Sequence, residues 1–344
     1  MTFCAAPFVH MVQNPDGQYR TCCMYEKSLE GKYNDIKDAF DGEENQKIRQ
    51  RMLSGEQLPE CKKCDIDEMH DGKCWTSYRQ EFNTKYGKKY IDDPILKTLE
   101  ISVSNKCNFK CIDCGPRFSN QFGKTIINNL PNYDNFDELD HLKILGGELF
   151  LDKRNFELFR KIPRENINLF IITNNSIFPN DEILNLLLDF KHIDINISID
   201  GIQEVAEFVR FGTKWSKFEK NWNKWFKWQS KIGKHRVIIE PYFVMHTLNA
   251  PFYQDTLDWS NVEIENWSWD FLNEPAWLNM KYLPEHIKEY ILGKNEKFDE
   301  AFNGSLTRFL SSNSYSEKYF LEIKKYILNN TIPEQMDEYM DLFF

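Results

Sequence analysis

The sequence predicts an α/β fold built from repeated βα units, with a small cysteine-rich region before them and a helical extension after them. Two observations carry this. Between residues 95 and 280 apolar, β-rich runs alternate with amphipathic segments, the pattern of strands feeding crossover helices. All nine cysteines, at positions 4, 22, 23, 61, 64, 74, 107, 111 and 114, lie in the first third, and the last 230 residues have none. The length of 344 residues suffices for one large domain or two with a sizeable core. The expected division is 1–94, 95–280 and 281–344.

In the first region, Asn14-Pro15-Asp16-Gly17 is a strong turn signal, because proline fixes φ and glycine accepts positive φ. It should join two short strands, with Cys4 at the entry of one and Cys22 at the exit of the other. A polar helix is expected near 45–55, then a chelating loop, Cys61-Lys62-Lys63-Cys64, and a segment through Cys74 to Tyr90. The middle region gives six strands, at 96–103, 142–145, 169–173, 193–199, 236–245 and 264–271, and helical segments near 118–129, 153–162, 181–190 and 215–231. The last of these places Phe218, Trp222, Trp225 and Phe226 on one stripe, which suits packing onto a sheet better than a substrate platform. The extension reads as helices at 284–292, 316–328 and 333–342, with Tyr319, Phe320, Ile323, Tyr326 and Ile327 forming a face that docks.

The chemistry concentrates where strands end. Cys107, Cys111 and Cys114 follow the first middle strand at C-x₃-C-x₂-C spacing. Thiolates are the usual protein ligands of iron–sulfur clusters. Three ligands on a four-iron cube leave one iron open, as three-ligand zinc leaves a catalytic position. Gly146-Gly147-Glu148 ends the second strand, Thr173-Asn174-Asn175 the third, and Ser198-Ile199-Asp200 the fourth, with Arg210 beyond it. Two glycines permit close backbone approach, a carboxylate accepts from an ammonium group, and Ser198 and Asp200 alternate onto one face. Near the last two strands, Glu240, Tyr242, His246, Asn249, Asp270 and Asn273 are polar residues among apolar ones.

On these residues the chain resembles the radical S-adenosylmethionine (SAM) superfamily. The resemblance implies a partial (β/α)6 TIM-type barrel, with functional residues at the C-terminal strand ends. It implies a [4Fe–4S] cluster on Cys107, Cys111 and Cys114 whose open iron chelates SAM. Gly146, Gly147 and Glu148 would then meet the SAM amino group, Ser198 and Asp200 its ribose or methionine region, Arg210 its carboxylate, and Asn174 would line the site. Two departures stand out: the residue before the last cysteine is usually aromatic and is Asp113, and the residue after Gly-Gly-Glu is usually proline and is Leu149.

The earlier cysteines resemble twitch domains, the shortened form of SPASM domains, which hold one extra [4Fe–4S] cluster. The matching ligands are Cys4, Cys22, Cys61 and Cys64, with Cys23 an alternative to Cys22 and Cys74 a fifth candidate. Such domains normally follow the barrel; here the motif precedes it. The alternative is a four-cysteine zinc site, which uses similar spacings.

The implied function is a radical SAM enzyme, an oxidoreductase or modifying enzyme. It would cleave SAM reductively to a 5′-deoxyadenosyl radical and abstract hydrogen from a substrate. A peptide or protein is favoured over a small molecule, and a flavodoxin or ferredoxin would donate electrons. The competing class is a non-catalytic iron–sulfur or zinc protein acting as a redox sensor or interaction module. A net charge of −10 argues against a general nucleic-acid binder. No secretory leader is read, and no apolar run approaches the roughly 18 residues of a membrane span. Cysteine usage points to a reducing, cytoplasmic setting.

Overall fold

The computed structural model describes residues 3–69, 77–130, 136–311 and 314–344; Cys74 lies outside them. The N-terminal region runs α1 (Ala6–Val9), β1 (His10–Gln13), β2 (Tyr19–Arg20), α2 (Ile36–Asp41), α3 (Glu43–Leu53), α4 (Lys62–Met69) and α5 (Tyr78–Tyr86). The middle of the chain follows with β3 (Thr98–Ser102), β4 (Lys110–Cys111), β5 (His141–Leu145), α6 (Lys153–Lys161), β6 (Asn168–Thr173), α7 (Asp181–Leu188), β7 (His192–Ser198), α8 (Gln203–Val209), β8 (Arg210–Phe211), α9 (Trp215–Ile232), β9 (Val237–Met245), α10 (Tyr253–Ser260) and β10 (Ser268–Phe271). The extension is α11 (Glu285–Lys294), α12 (Glu296–Ala301), α13 (Ser305–Leu310), α14 (Glu317–Leu328) and α15 (Asp337–Asp341).

The main sheet has the order β10-β9-β7-β6-β5-β3-β1-β2. From β3 to β10 every pairing is parallel and neighbours follow chain order. Strands wound in one direction keep their crossover helices on one face, so this is the expected α/β architecture, an open six-stranded βα barrel. Parallel sheets covered on both faces read as continuous apolar runs. Here β5, β6, β7 and β9 instead alternate between buried and half-buried residues. Leu142, Ile144, Leu169, Ile171, Ile193, Ile195, Val237 and Ile239 form the apolar face. The opposite face is a polar lumen, because parallel register puts paired residues on one side: Glu100 beside Lys143, Asn196 beside Glu240, and Ser198 beside Tyr242.

The turn at Asn14–Gly17 joins two short strands as expected, with the Gln18 carbonyl accepting from Asn14 N at 2.8 Å and Gly17 at φ +81°. The hairpin does not stand apart: β1 pairs in parallel with β3, from His10 opposite Thr98 to Gln13 opposite Ile101. The α9 stripe packs as expected, with Trp222 5.2 Å from Trp259 and Trp225 fully buried.

Some expected elements differ. Residues 118–129 are not helical; beyond a short 3-10 turn, Asn120–Phe122, they run as loop. Ser119, Asn120 and Gln121 bond back to the cysteine segment instead of propagating a helix, the competition such side chains offer the backbone. Residues 264–266 form a 3-10 turn before the short β10, and the chelating loop at 61–64 is helical, Cys61 ending a 3-10 turn (Pro59–Cys61) and 62–64 opening α4. No helix among the described residues is long and apolar enough to cross a membrane.

Candidate cofactor site at the strand ends

The loop leaving β3 carries Cys107, Cys111 and Cys114 and is fastened by its own polar residues. Asn105 is fully buried. Its amide donates to the Pro116 and Lys124 carbonyls at 2.8 and 2.9 Å, and its oxygen accepts from Ile126 N at 2.7 Å. Ser119 donates to the Phe109 carbonyl at 2.6 Å, and Asn120 accepts from Cys107 N at 3.0 Å. The loop thus closes on itself around its cysteines. A two-stranded antiparallel ribbon, β4 with β8, then sets Cys111 opposite Arg210 and carries the loop across to the far side of the barrel.

Gly146 and Gly147 are required by this loop. Glu148 N donates to the Lys106 carbonyl at 2.7 Å. A Cβ on Gly147 would stand 1.9 Å from Lys106 O, and one on Gly146, at φ +124°, would stand 2.5 Å from Ser104 O. The sequence reading assigned both glycines to close ligand approach; the close approach that the structure shows is by residues 104–106, which lead directly into Cys107.

Glu148 is 1% exposed. Its carboxylate accepts from Thr173 Oγ1 at 2.9 Å, Asn174 N at 2.7 Å and Phe150 N at 3.3 Å. Burial pushes it up to about 7, against those hydrogen bonds and the Arg210 charge, which favour the anion. Asn174 turns its amide toward Cys107 Sγ, 3.7 Å away, and Asn108 Oδ1, 3.1 Å away. The second, third and first strand ends therefore meet at Cys107.

Ser198 lies on the lumen face. Asp200 is 2% exposed and acts as a clamp, with one oxygen paired to Arg210 and the other accepting from Val244 N at 2.9 Å. Burial raises its carboxyl and Arg210 opposes the rise. For Arg210 burial works downward, yet Cys111, Asp200 and Asp113 hold the guanidinium well above its ordinary value. Asp113, the departure from the aromatic pattern, thus stands beside Arg210 with Asp200. Replacing Asp200 by alanine should leave Arg210 buried without its partner and Val244 N–H without its acceptor. The expected loss is about 3–5 kcal/mol of folding stability; a urea denaturation midpoint within error of the parent protein would refute the clamp.

His246 is buried and accepts from Leu248 N at 3.1 Å through Nδ1. Asn249 holds Val244 O and Asp200 O. Both are structural here. Glu240 accepts from Ser268 Oγ at 3.2 Å within the lumen.

Of the earlier cysteines, Cys4 has Cys61, Cys64 and Arg79 as its titratable neighbours. Burial pushes Cys4 up to about 12 and Cys61 up to about 11. Arg79 pairs with Asp65 at 2.6 Å and Glu68 at 3.2 Å. Cys22 instead shares a thiol hydrogen bond with its neighbour Cys23, which faces Glu100, Lys143 and Tyr78. Tyr25 links the two groups, donating its N–H to the Cys22 carbonyl at 3.1 Å while its phenol lies near Cys61. Tyr78, Glu100 and Lys143 also line a cavity of about 230 Å³ at the lumen floor, where Lys143 Nζ donates to Tyr78 Oη at 3.0 Å.

The eight described cysteines are all free. Among the described residues no three His, Cys, Asp or Glu side chains converge on a position for one metal ion. The sulfurs do receive amide hydrogens: Cys107 Sγ from Phe109 N at 3.4 Å, and Cys22 Sγ from Met24 N at 3.5 Å. The donor set, thiols on short segments, has the chemistry of iron–sulfur ligation, and hydrogen bonds to the sulfurs tune such centres. Thr173, Asn108 and Asp113 were not singled out as site residues from sequence. Thr173 was within reach of that reading, because it adjoins Asn174 at a strand end.

No protein-family model matches the chain, and no curated protein matches it. Among solved structures, anSMEcpe with bound AdoMet is similar at 18% identity and a TM-score of 0.42, over 70% of this chain and 68% of that one. SuiB of Streptococcus suis bound to S-adenosylmethionine is similar at 16% identity and a TM-score of 0.39, over 74% of this chain and 62% of that one. Likeness at this level leaves the function to be read from the chain's own residues.

Proposed function

We propose that the chain is a radical SAM enzyme with a second, auxiliary cluster in its N-terminal region. The observation that carries this reading is the meeting of three strand ends at one cysteine loop: Cys107 with Asn174, Gly147 against Lys106, and the buried Glu148 beneath them. A [4Fe–4S] cluster on Cys107, Cys111 and Cys114 would supply one electron to cleave SAM into methionine and a 5′-deoxyadenosyl radical.

In this reading the chain's residues bind, orient and shield. Glu148, held by Thr173 and Asn174, offers its carboxylate to the SAM ammonium group, with Gly146 and Gly147 forming the adjoining backbone. Ser198 and Asn174 line the ligand, and Arg210 and Asp200 fix the ribbon that carries Cys111. The polar lumen below receives substrate and excludes bulk water. Cys4, Cys61 and Cys64, with Cys22 or Cys23, hold the auxiliary cluster for electron transfer. The substrate class favoured by this reading is a peptide or protein.

Anaerobic reconstitution tests this. About eight irons per chain, with 5′-deoxyadenosine released on reduction with SAM, is the expected result. Tightly bound zinc without SAM cleavage would favour the redox-sensing or interaction protein instead.

A further inference from the structure

A second candidate site lies at the end of the lumen away from the cysteine loop. The cavity of about 230 Å³ at the lumen floor sits where β1, β3 and β5 begin, and α5 covers it. Thr98 on its wall and Ser102 at the upper end of β3 are separated by about 13 Å of strand. Among the described residues no cysteine lines it. The covering helix is fixed: Asn83 donates to the Phe3 carbonyl at 2.9 Å and accepts from Ala5 N at 2.8 Å.

The inner wall leaves polar atoms unanswered. Glu100 is 3% exposed and its Oε2 has no hydrogen-bond partner; His10 is 2% exposed and its Nε2 has none. The 3.8 Å between His10 Nε2 and Glu100 Oε1 is too long for a hydrogen bond. Thr98 Oγ1, 2.6 Å from His10 Nδ1, holds the ring in place. Buried polar groups without partners are costly, and in a cavity wall they suit a ligand that brings the missing donor and acceptor.

The charges on the wall are balanced. Glu100 and Lys143 sit side by side in register inside, and Glu81 and Lys85 stand one helical turn apart at the exposed mouth. Lys143 donates to Tyr78 Oη at 3.0 Å and lies 5.0 Å from the Phe170 ring centre; no carboxylate among the described residues forms an ion pair with it. Burial keeps His10 and His141 neutral, each pushed down to about 4. A monoanion would meet two glutamates here and a monocation two lysines, whereas a ligand with one charge of each sign matches both. The volume is below the roughly 300–1,000 Å³ of sites for drug-sized ligands, so the occupant is small.

We propose that the floor of the barrel binds a free α-amino acid with an apolar side chain, its ammonium group on Glu100 and its carboxylate on Lys143. Thr98 donates its hydroxyl to His10 Nδ1, which leaves Nε2–H to add a second donor to the carboxylate. Phe82 and Phe170 enclose the side chain, and Glu81 and Lys85 attract the same two charges at the mouth. The floor lies apart from the strand-end residues of the radical SAM reading, and its occupancy does not depend on that reading.

Calorimetric titration of the full-length protein with L-phenylalanine and L-leucine tests this. Two further probes each lack one charge: L-phenylalaninamide has no carboxylate, and N-acetyl-L-phenylalanine has no ammonium. At least one of the free amino acids should bind, and each single-charge probe should bind about tenfold more weakly or worse, because it leaves a buried charge unanswered. Glu100→Gln and Lys143→Gln should each weaken amino-acid binding by about tenfold; should either fail to fold, the comparison of probes on the parent protein decides. No binding of either amino acid overturns the proposal, as do equal affinities for charged and single-charge probes or parent-like affinity in both variants. Excess SAM should leave the amino-acid affinity unchanged. Displacement by SAM would put the amino acid at the strand-end site and overturn the floor assignment, while leaving the radical SAM reading standing.

Discussion

Glu148→Gln should abolish SAM binding and at the same time make the ligand-free protein more stable above neutral pH. The glutamate sits 1% exposed with its carboxyl pushed up to about 7 from an ordinary 4.5, burial being the main cause. Between those two values the folded state holds a proton that the unfolded chain has already lost, so stability falls as pH rises through the window. Above it the buried anion costs about 3 kcal/mol. Glutamine keeps the shape and can still accept from Asn174 N, and it carries no charge. Thermal melts of the two proteins at pH 5 and pH 8 check the sign: the variant should gain only at pH 8. An equal shift at both pH values would show that the carboxyl is not held out of its usual range. Equilibrium dialysis with SAM reads the other half, and undiminished binding would remove Glu148 from the ligand site.

Gly147→Ala should empty the loop of its cluster while sparing the N-terminal cysteines. The added Cβ would meet Lys106 O at 1.9 Å and Lys106 C at 2.4 Å. Both are backbone atoms, so no side-chain rotation relieves the contact. Either β5 or residues 104–106 must move, and the latter run straight into Cys107. Reconstituted iron should fall from about eight to about four per chain, because the auxiliary ligands lie on other segments. Iron that stays near eight, with SAM cleavage intact, would show that the close packing of Gly147 on residues 104–106 is not needed to place the cysteines.

Much of this was legible in the sequence for a physical reason. Strand positions follow from alternating apolar residues, and each expected middle strand overlaps an observed one. The strand-end residues Glu148, Asn174, Ser198 and Asp200 follow in turn, since a βα unit presents its chemistry there. What could not be read depends on contacts distant in sequence. Arg210 pairs with Asp200 across a helix and with Cys111 across a ribbon of two residues per strand, too short to leave a pattern. Asn105, Ser119 and Asn120 look like ordinary turn or helix-start residues, and only the folded loop shows them latching Cys107 in place. Cys22 and Cys23 are adjacent in sequence, so spacing alone did not separate the one near Tyr25 from the one facing the lumen.

The parallel join between β1 and β3 has a consequence for wiring. The segment after Cys4 and the segment before Cys107 ride on adjacent strands, about 4.8 Å apart at the backbone, in fixed register from His10–Thr98 to Gln13–Ile101. Were the first region attached by a hinge, the gap between its thiols and those of the loop would fluctuate with every swing. Knitted into one ladder, the segment that follows Cys4 and the segment that leads to Cys107 keep a constant spacing, and on the reading proposed above an electron crossing between the two cysteine groups would start and end on parts of one rigid sheet.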